Sequence, residues 1–235
     1  MKIQEISSDT HFSCASSSGD QRFKAGLPEG PDQSLYNWEH SGELCHHTYL
    51  WPVVESLMPR ENLSVLDVGC GSGFITKRVA ELGNEVIGVD ASPDGIRLAR
   101  LEHPGPRFEV GSAYDNLTAL APPEGWDLIL GLEIIEHLFS PKRFLENMYR
   151  HLRPGGLLIL STPYHGYLKN LALSIVNGWD RHHSVAWECG HIKFFSRRSL
   201  APMLADTNFR CVRFRYAGRL PLLWKSMVCV ASRGT

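Results

Sequence analysis

The chain of 235 residues lacks paired CxxC cysteines, an excess of either charge, a long apolar run and any internal repeat. Its six cysteines (Cys14, Cys45, Cys70, Cys189, Cys211, Cys229) are scattered. Most lie in apolar segments where a reduced thiol packs as a small hydrophobe, so a reducing cytoplasm is the expected compartment. A formal net charge of −1 exerts no global pull toward nucleic acid or anionic lipid. No run approaches the roughly 18 apolar residues of a spanning helix, and MKIQEISSDTHFSCASSSGD lacks the apolar core of a signal peptide. The expectation is a soluble protein with at most a peripheral membrane contact.

Ordinary hydrophobic content lets the chain bury one full core, since α/β folds often exceed about 150 residues per domain. Residues 1–32, rich in Ser, Gly, Asp and Pro, bury too little apolar surface to offset their ordering entropy and read as a tail or flap. Residues 33–235 read as a single domain. From Leu35 to Met58, LYNWEHSGELCHHTYLWPVVESLM carries Trp38, Leu44, His47, Leu50, Val54 and Leu57 at helical intervals, with Pro52 placed to kink or divide the helix. Strand and helix patterns then alternate: SVLDV, FITKRVAELG, EVIGVD, SPDGIRLARLE, RFEVG, WDLILGL, PKRFLENMYRHL, LLILSTP. Apolar strands separated by helices need right-handed crossovers, which gives a mostly parallel, Rossmann-like α/β sheet covered on both faces. The helix SRRSLAPMLADT and two strand-like runs, FRCVRFRYA and LWKSMVCVAS, follow, the last two predicting a hairpin at one sheet edge.

In a doubly wound sheet the turn after the first strand is the usual ligand site, and here it is Gly69, Cys70, Gly71, Ser72, Gly73. A dinucleotide fingerprint would need glycine at position 74, which is Phe74; Phe74 and Ile75 also exclude the Lys-Ser/Thr of a P-loop. The ligand should lack a pyrophosphate yet keep a ribose for Asp90 at the end of the second strand. A nucleoside with a zwitterionic amino-acid tail meets both demands.

VLDVGCGSGFIT, VIGVDAS, WDLILGLEIIEHL and LRPGGLLILSTP, in this order and spacing, resemble the successive motifs of class I S-adenosylmethionine-dependent methyltransferases. The resemblance implies a seven-stranded sheet with an antiparallel last strand, glycines beside the methionine tail, and Asp90 on the ribose hydroxyls. The implied donor contacts are Asp67, Gly69, Cys70, Gly71, Gly73, Asp90, Ala91, Ser112, Ala113 and Glu133. Ser112 stands where such enzymes often carry an aspartate for adenine.

Methyl transfer from a sulfonium needs alignment and exclusion of water rather than an acid, with a base where the acceptor is a phenol or protonated amine. Glu133, Glu136 and His137 have i, i+3, i+4 spacing, which on a helical turn places all three on one face. They could hold Mg²⁺, or His137 could act as base with Glu136 orienting it. The ExxEH pattern, with GHIKFFSRRSL at 190–200, resembles the ubiquinone-biosynthesis O-methyltransferases, which implies a divalent cation near a catechol. Residues 164–191 form a long aromatic- and histidine-rich stretch read as a substrate lid, with His182 and His191 as further base candidates. Its LKNLALSIV reads as a short helix that covers the pocket or rests on a bilayer.

These features favour a small-molecule methyltransferase, O-methylating a hydroxylated aromatic or quinone-like acceptor. N- or C-methylation of another metabolite and a noncatalytic cofactor-binding protein are the alternatives. A nucleic-acid substrate is disfavoured by the absence of an Asn-Pro-Pro-Tyr type motif after the fourth strand.

Overall fold

A computed structural model describes residues 44–59, 62–180, 190–218 and 224–235. Seven strands form one sheet in the order β3-β2-β1-β4-β5-β7-β6. β1 (Ser64–Val68), β2 (Glu85–Asp90), β3 (Arg107–Val110), β4 (Trp126–Leu132) and β5 (Leu152–Pro163) are parallel. The predicted closing hairpin is present as β6 (Phe209–Gly218) and β7 (Trp224–Arg233), but β7 slots between β5 and β6, antiparallel to both. Burial explains this order: β7 is apolar from Met227 to Ala231 and buried, while β6 alternates exposed Arg213 and Arg215 with half-buried neighbours and takes the edge. Charged side chains on an edge strand also discourage further pairing.

The described residues include the helices α1 (His47–Leu57), α2 (Phe74–Glu81), α3 (Pro93–Glu102), α4 (Pro141–His151), α5 (Tyr167–Ile175) and α6 (Arg197–Asp206). α1 runs unbroken through Pro52. Only one helical hydrogen bond is lost there, and buried Leu50, Trp51 and Val54 hold the helix against β1, β4 and β7 through Val65, Leu128 and Val228. Ser92 caps α3 by accepting the Gly95 amide, with Pro93 at its first position. The opposite face of the sheet packs Phe144, Leu145 and Met148 of α4 against Leu158 and Leu160 of β5. Among the described residues no helix is long and apolar enough to cross a membrane.

The strand order reverses between β1 and β4, so the carboxyl ends of these two strands open a crevice there. α5 stands apart: none of its residues is buried, and Tyr167, Leu168, Leu171 and Ile175 are exposed. No α5 residue lines the crevice, so this helix does not cover the pocket.

Candidate active site

The crevice is a cavity of about 450 Å³. Its floor is the loop after β1. Gly69 and Gly73 sit at φ +78° and +84°, in the left-handed region that a side chain disfavours. A β-carbon on Gly69 would also lie 2.7 Å from Ile134 Cδ1, and one on Gly73 2.7 Å from the Phe108 ring. These two glycines are therefore required by turn geometry and by packing against β3 and the end of β4. Of the three loop glycines only Gly69 lines the cavity, and the space cleared at Gly73 is filled by protein.

Asp67 and Asp90 stand on either side of the loop. Asp90 Oδ2 accepts the Gly71 amide and Oδ1 the Ser92 amide, both at 2.8 Å, tying the loop to the end of β2. Burial raises its pKa, and the two amides offset part of that rise. Asp67 is 2% exposed and accepts the Thr76 hydroxyl of α2 at 2.6 Å. Burial pushes its pKa from the ordinary 3.8 to about 6, with the Thr76 bond opposing and the charge of Asp90 adding to the rise. Cys70 and Ala91 line the same region.

Ala113 lies on the cavity wall beside Gly111, but Ser112 does not. The Ser112 hydroxyl accepts the Tyr114 amide and its own amide donates to Asp115 Oδ2 at 2.7 Å, so Ser112 closes a turn. Asp115, which sequence reasoning passed over, is the acid that shapes this corner.

At the end of β4 the structure departs from a shared helical face. Glu133 has φ +51° and precedes the short 3-10 turn Ile135–His137. Its amide and its Oε1 both engage Ser161 of β5, the hydroxyl donating to Oε1 at 2.7 Å. Glu133 is therefore held by Ser161 and is not part of the group formed by Glu136, His137 and His191, whose ligating atoms lie within 4.8 Å of one another. Glu136 is 1% exposed and neither carboxyl oxygen has a hydrogen bond of ordinary geometry. Burial first, and repulsion from Glu133 second, hold its pKa well above the carboxylate range, with the nearby Thr162 hydroxyl opposing. One carboxyl and two imidazoles are a poor match for Mg²⁺, which takes oxygen ligands in octahedral geometry. The expected Glu133, Glu136, His137 site for Mg²⁺ does not fit this arrangement.

His137 and His191 both line the cavity, with ring centroids 4.8 Å apart at 70°. His191 is brought there because the Ile192 and Lys193 amides both donate to the Glu136 carbonyl at 3.0 Å, clamping the segment that follows residue 190. Its Nε2 lies 4.0 Å from Glu136 Oε1. The other predicted base, His182, lies outside the described residues, as do His183 and Trp187. Of the described residues in 164–191, only Gly190 and His191 line the cavity; Tyr164 instead packs edge-on against Tyr216 and Trp224.

Several lining residues were not assigned from sequence. α1 contributes His46, His47 and Tyr49, and β7 contributes Lys225 and Ser226, with the Lys225 ammonium 4.7 Å from the Tyr49 ring centroid. The helical periodicity of 35–58 marks His47 as part of the inward stripe; nothing local marks Lys225.

The comparisons with known proteins agree with this geometry. A family profile described as "Methyltransferase domain" matches residues 46–213. A ubiquinone biosynthesis O-methyltransferase of Cereibacter sphaeroides strain KD131 is 38% identical over 122 residues, 51% of this chain and 48% of the relative. One from Parvibaculum lavamentivorans is 32% identical over 161 residues, 66% of this chain and 62% of the relative. The chain thus spans about half the length of most curated relatives it matches. Among solved structures, the YcgJ protein of Bacillus subtilis superposes with a TM-score of 0.62 at 16% identity, covering 81% of this chain and 99% of that one. A SAM-dependent methyltransferase of Methanosarcina mazei superposes with a TM-score of 0.59 at 21% identity, covering 79% and 98%. With the profile spanning more than two thirds of its length and the sheet order found above, this chain belongs to the methyltransferase-domain family and has the class I methyltransferase fold.

Proposed function

We propose that the protein is an S-adenosylmethionine-dependent O-methyltransferase acting on a small hydroxylated aromatic or quinone-like acceptor. The observation that carries the reading is one cavity with two chemically distinct ends: two buried acids and a glycine turn at the β1–β2 side, and a histidine pair at the β4 side. The curated relatives named for ubiquinone biosynthesis support the acceptor class.

The donor-side residues fit the group they would hold. A cavity of about 450 Å³ suits a nucleoside carrying an amino-acid tail. Asp90 retains lone pairs for ribose hydroxyls beyond the two amides it accepts, and Asp67 offers an acid near the tail's ammonium. S-adenosylmethionine, when bound, supplies a sulfonium methyl as the electrophile. The chain's own work is to orient the acceptor oxygen, exclude water and take the hydroxyl proton. We assign the proton to His137 or His191, which share the acceptor end, with the Glu136 backbone carbonyl, which accepts the Ile192 and Lys193 amides, bringing His191 to His137. Ile134, Leu132 and Leu50 add apolar surface to the cavity, suited to a flat ring.

Purified protein incubated with isotopically labelled S-adenosylmethionine and a panel of catechols, hydroxyquinols and amines tests the reading. Label is expected on phenolic oxygen. Transfer to nitrogen or carbon alone would replace it with the second reading, and tight donor binding without transfer to any acceptor would support a binding protein. The exposed apolar face of α5 supports a peripheral bilayer contact, read out by sedimentation with phospholipid vesicles.

A further inference from the structure

We propose that Lys225 and Ser226 of β7 form the seat that receives the acceptor oxygen as its proton leaves; this rests on the O-methyltransferase reading above. A phenol titrates at about pH 10 and an imidazole at about 6.5, so handing the proton to His137 or His191 runs uphill by about 3.5 pH units unless the phenolate is stabilised. The oxygen then bonds to the methyl carbon, the C–S electron pair stays on the departing thioether, and the imidazole returns its proton to water. Most charge around the cavity opposes that phenolate, because Asp67, Asp90 and Glu133 all line it. Lys225 is the only lysine or arginine among the described lining residues.

The strand end holds Lys225 in place. The Tyr164 amide donates to the Lys225 carbonyl at 2.8 Å, and Ser226 pairs with Pro163 at the end of β5. Gly218 of β6, at φ +107°, leaves the room: a β-carbon on it would lie 2.8 Å from the Lys225 amide nitrogen and 2.9 Å from its Cβ. Lys225 is half-buried, with its ammonium 4.7 Å from the Tyr49 ring centroid and no carboxylate within 4.0 Å among the described residues. A cation kept over an aromatic face is positioned without being neutralised. Lys169 of α5, by contrast, donates to the Tyr164 carbonyl at 3.2 Å and does not line the cavity.

Ser226 supplies an independent signal. It is 1% exposed and lines the cavity, and its hydroxyl makes no hydrogen bond of ordinary geometry, although the Tyr49 hydroxyl and the Glu133 carboxyl lie near. A buried hydroxyl in that state is costly until an incoming oxygen accepts from it. An ammonium and a hydroxyl on successive residues, both open to the cavity, are the donors that a developing oxyanion needs.

The titratable groups close to this corner are Tyr49 of α1, Glu133 at the end of β4, Tyr164 just after β5, Lys169 of α5 and Tyr216 of β6. The experiment therefore reads the ionisation of the ligand itself. 4-Nitrocatechol, whose phenolate absorbs visible light, is titrated with pH in complex with the protein and S-adenosylhomocysteine, so that no sulfonium charge enters the comparison. In wild type its midpoint is expected about 1–3 pH units below that of the free ligand, the range for an opposite charge a few ångströms away. Lys225→Met should return the midpoint toward the free value by at least about one unit, whereas Lys225→Arg should keep it low. Ser226→Ala should raise it by less, and a midpoint that Ser226→Ala leaves unmoved overturns the hydroxyl's share. Across a series of phenols, kcat/KM of Lys225→Met should fall about 10–10³-fold for the weakest acids and within about threefold for nitrophenols. S-adenosylhomocysteine affinity within about twofold of wild type shows that the variant is folded, and if Lys225→Met loses it, Lys225→Gln carries the same comparison. An unshifted midpoint in wild type, or one that the lysine variant leaves in place, overturns the proposal. Wild type that neither binds 4-nitrocatechol nor methylates any phenol defeats the O-methyltransferase reading and this seat together, whereas phenols methylated with an unshifted midpoint defeat the seat alone.

Discussion

Asp67 is held in the folded protein at a cost that pH should reveal. Its pKa of about 6 against an ordinary 3.8 means that the native state binds an extra proton between about pH 4 and 6. The contribution to stability therefore declines as pH rises through that window, and above it the ionised buried carboxylate opposes folding by up to about 3 kcal/mol. Burial is the first cause and the neighbouring charge of Asp90 adds to it, while the 2.6 Å bond from Thr76 offsets part. Asp67→Asn keeps the shape and an oxygen for Thr76 and removes the titration. Urea unfolding of the ligand-free protein at pH 4.5 and pH 8 isolates this effect, because other groups titrate alike in both proteins. The variant's stability relative to wild type should be about 2 kcal/mol better at pH 8 than at pH 4.5. The same substitution should weaken S-adenosylhomocysteine binding, as expected where a site keeps a destabilising charge for its ligand. A relative stability that is the same at both pH values, or that shifts the other way, refutes the argument that burial of this carboxylate is uncompensated.

Further outcomes concern the turn and the acceptor end. Gly73→Ala forces a β-carbon at φ +84° into the Phe108 ring and should cost about 2–4 kcal/mol in urea unfolding; a loss below about 1 kcal/mol would contradict the packing described. Asp90→Ala frees the Gly71 and Ser92 amides and should abolish measurable donor binding by calorimetry, and retained affinity would count against the ribose assignment. His137→Phe and His191→Phe should each leave donor affinity within about threefold while at least one lowers kcat about 10²–10⁴-fold on a phenolic acceptor. Turnover should survive EDTA, since the Glu136, His137, His191 group does not suit Mg²⁺; a loss restored by added Mg²⁺ would reverse that conclusion.

The loop side of the cavity was legible because it is local. Asp67, the glycine turn and Asp90 are fixed by strand ends and one tight loop, whose geometry depends on neighbours a few positions away. Even there, the reason for glycine at 73 was not visible: Phe108, thirty-five positions on, occupies the space. The histidine side was legible only in part. The ExxEH spacing suggested a helical face, but Glu133 at φ +51° breaks it, and the Ser161 hydroxyl that holds this carboxyl belongs to β5. His191 joins His137 because two amides meet the Glu136 carbonyl across more than fifty residues.

Alternating apolar strands and helices, the turn between Asp67 and Asp90, and the four ordered motifs by themselves determined a doubly wound sheet and the place of its crevice, because periodicity and short-range turn chemistry are written in consecutive residues. Only the tertiary structure decided that β7 would enter the sheet beside β5, that Ser161 would hold Glu133, and that His47 would lie on Phe74. Each of these depends on which buried groups find partners once distant segments are pressed together, and no spacing along the chain records that competition.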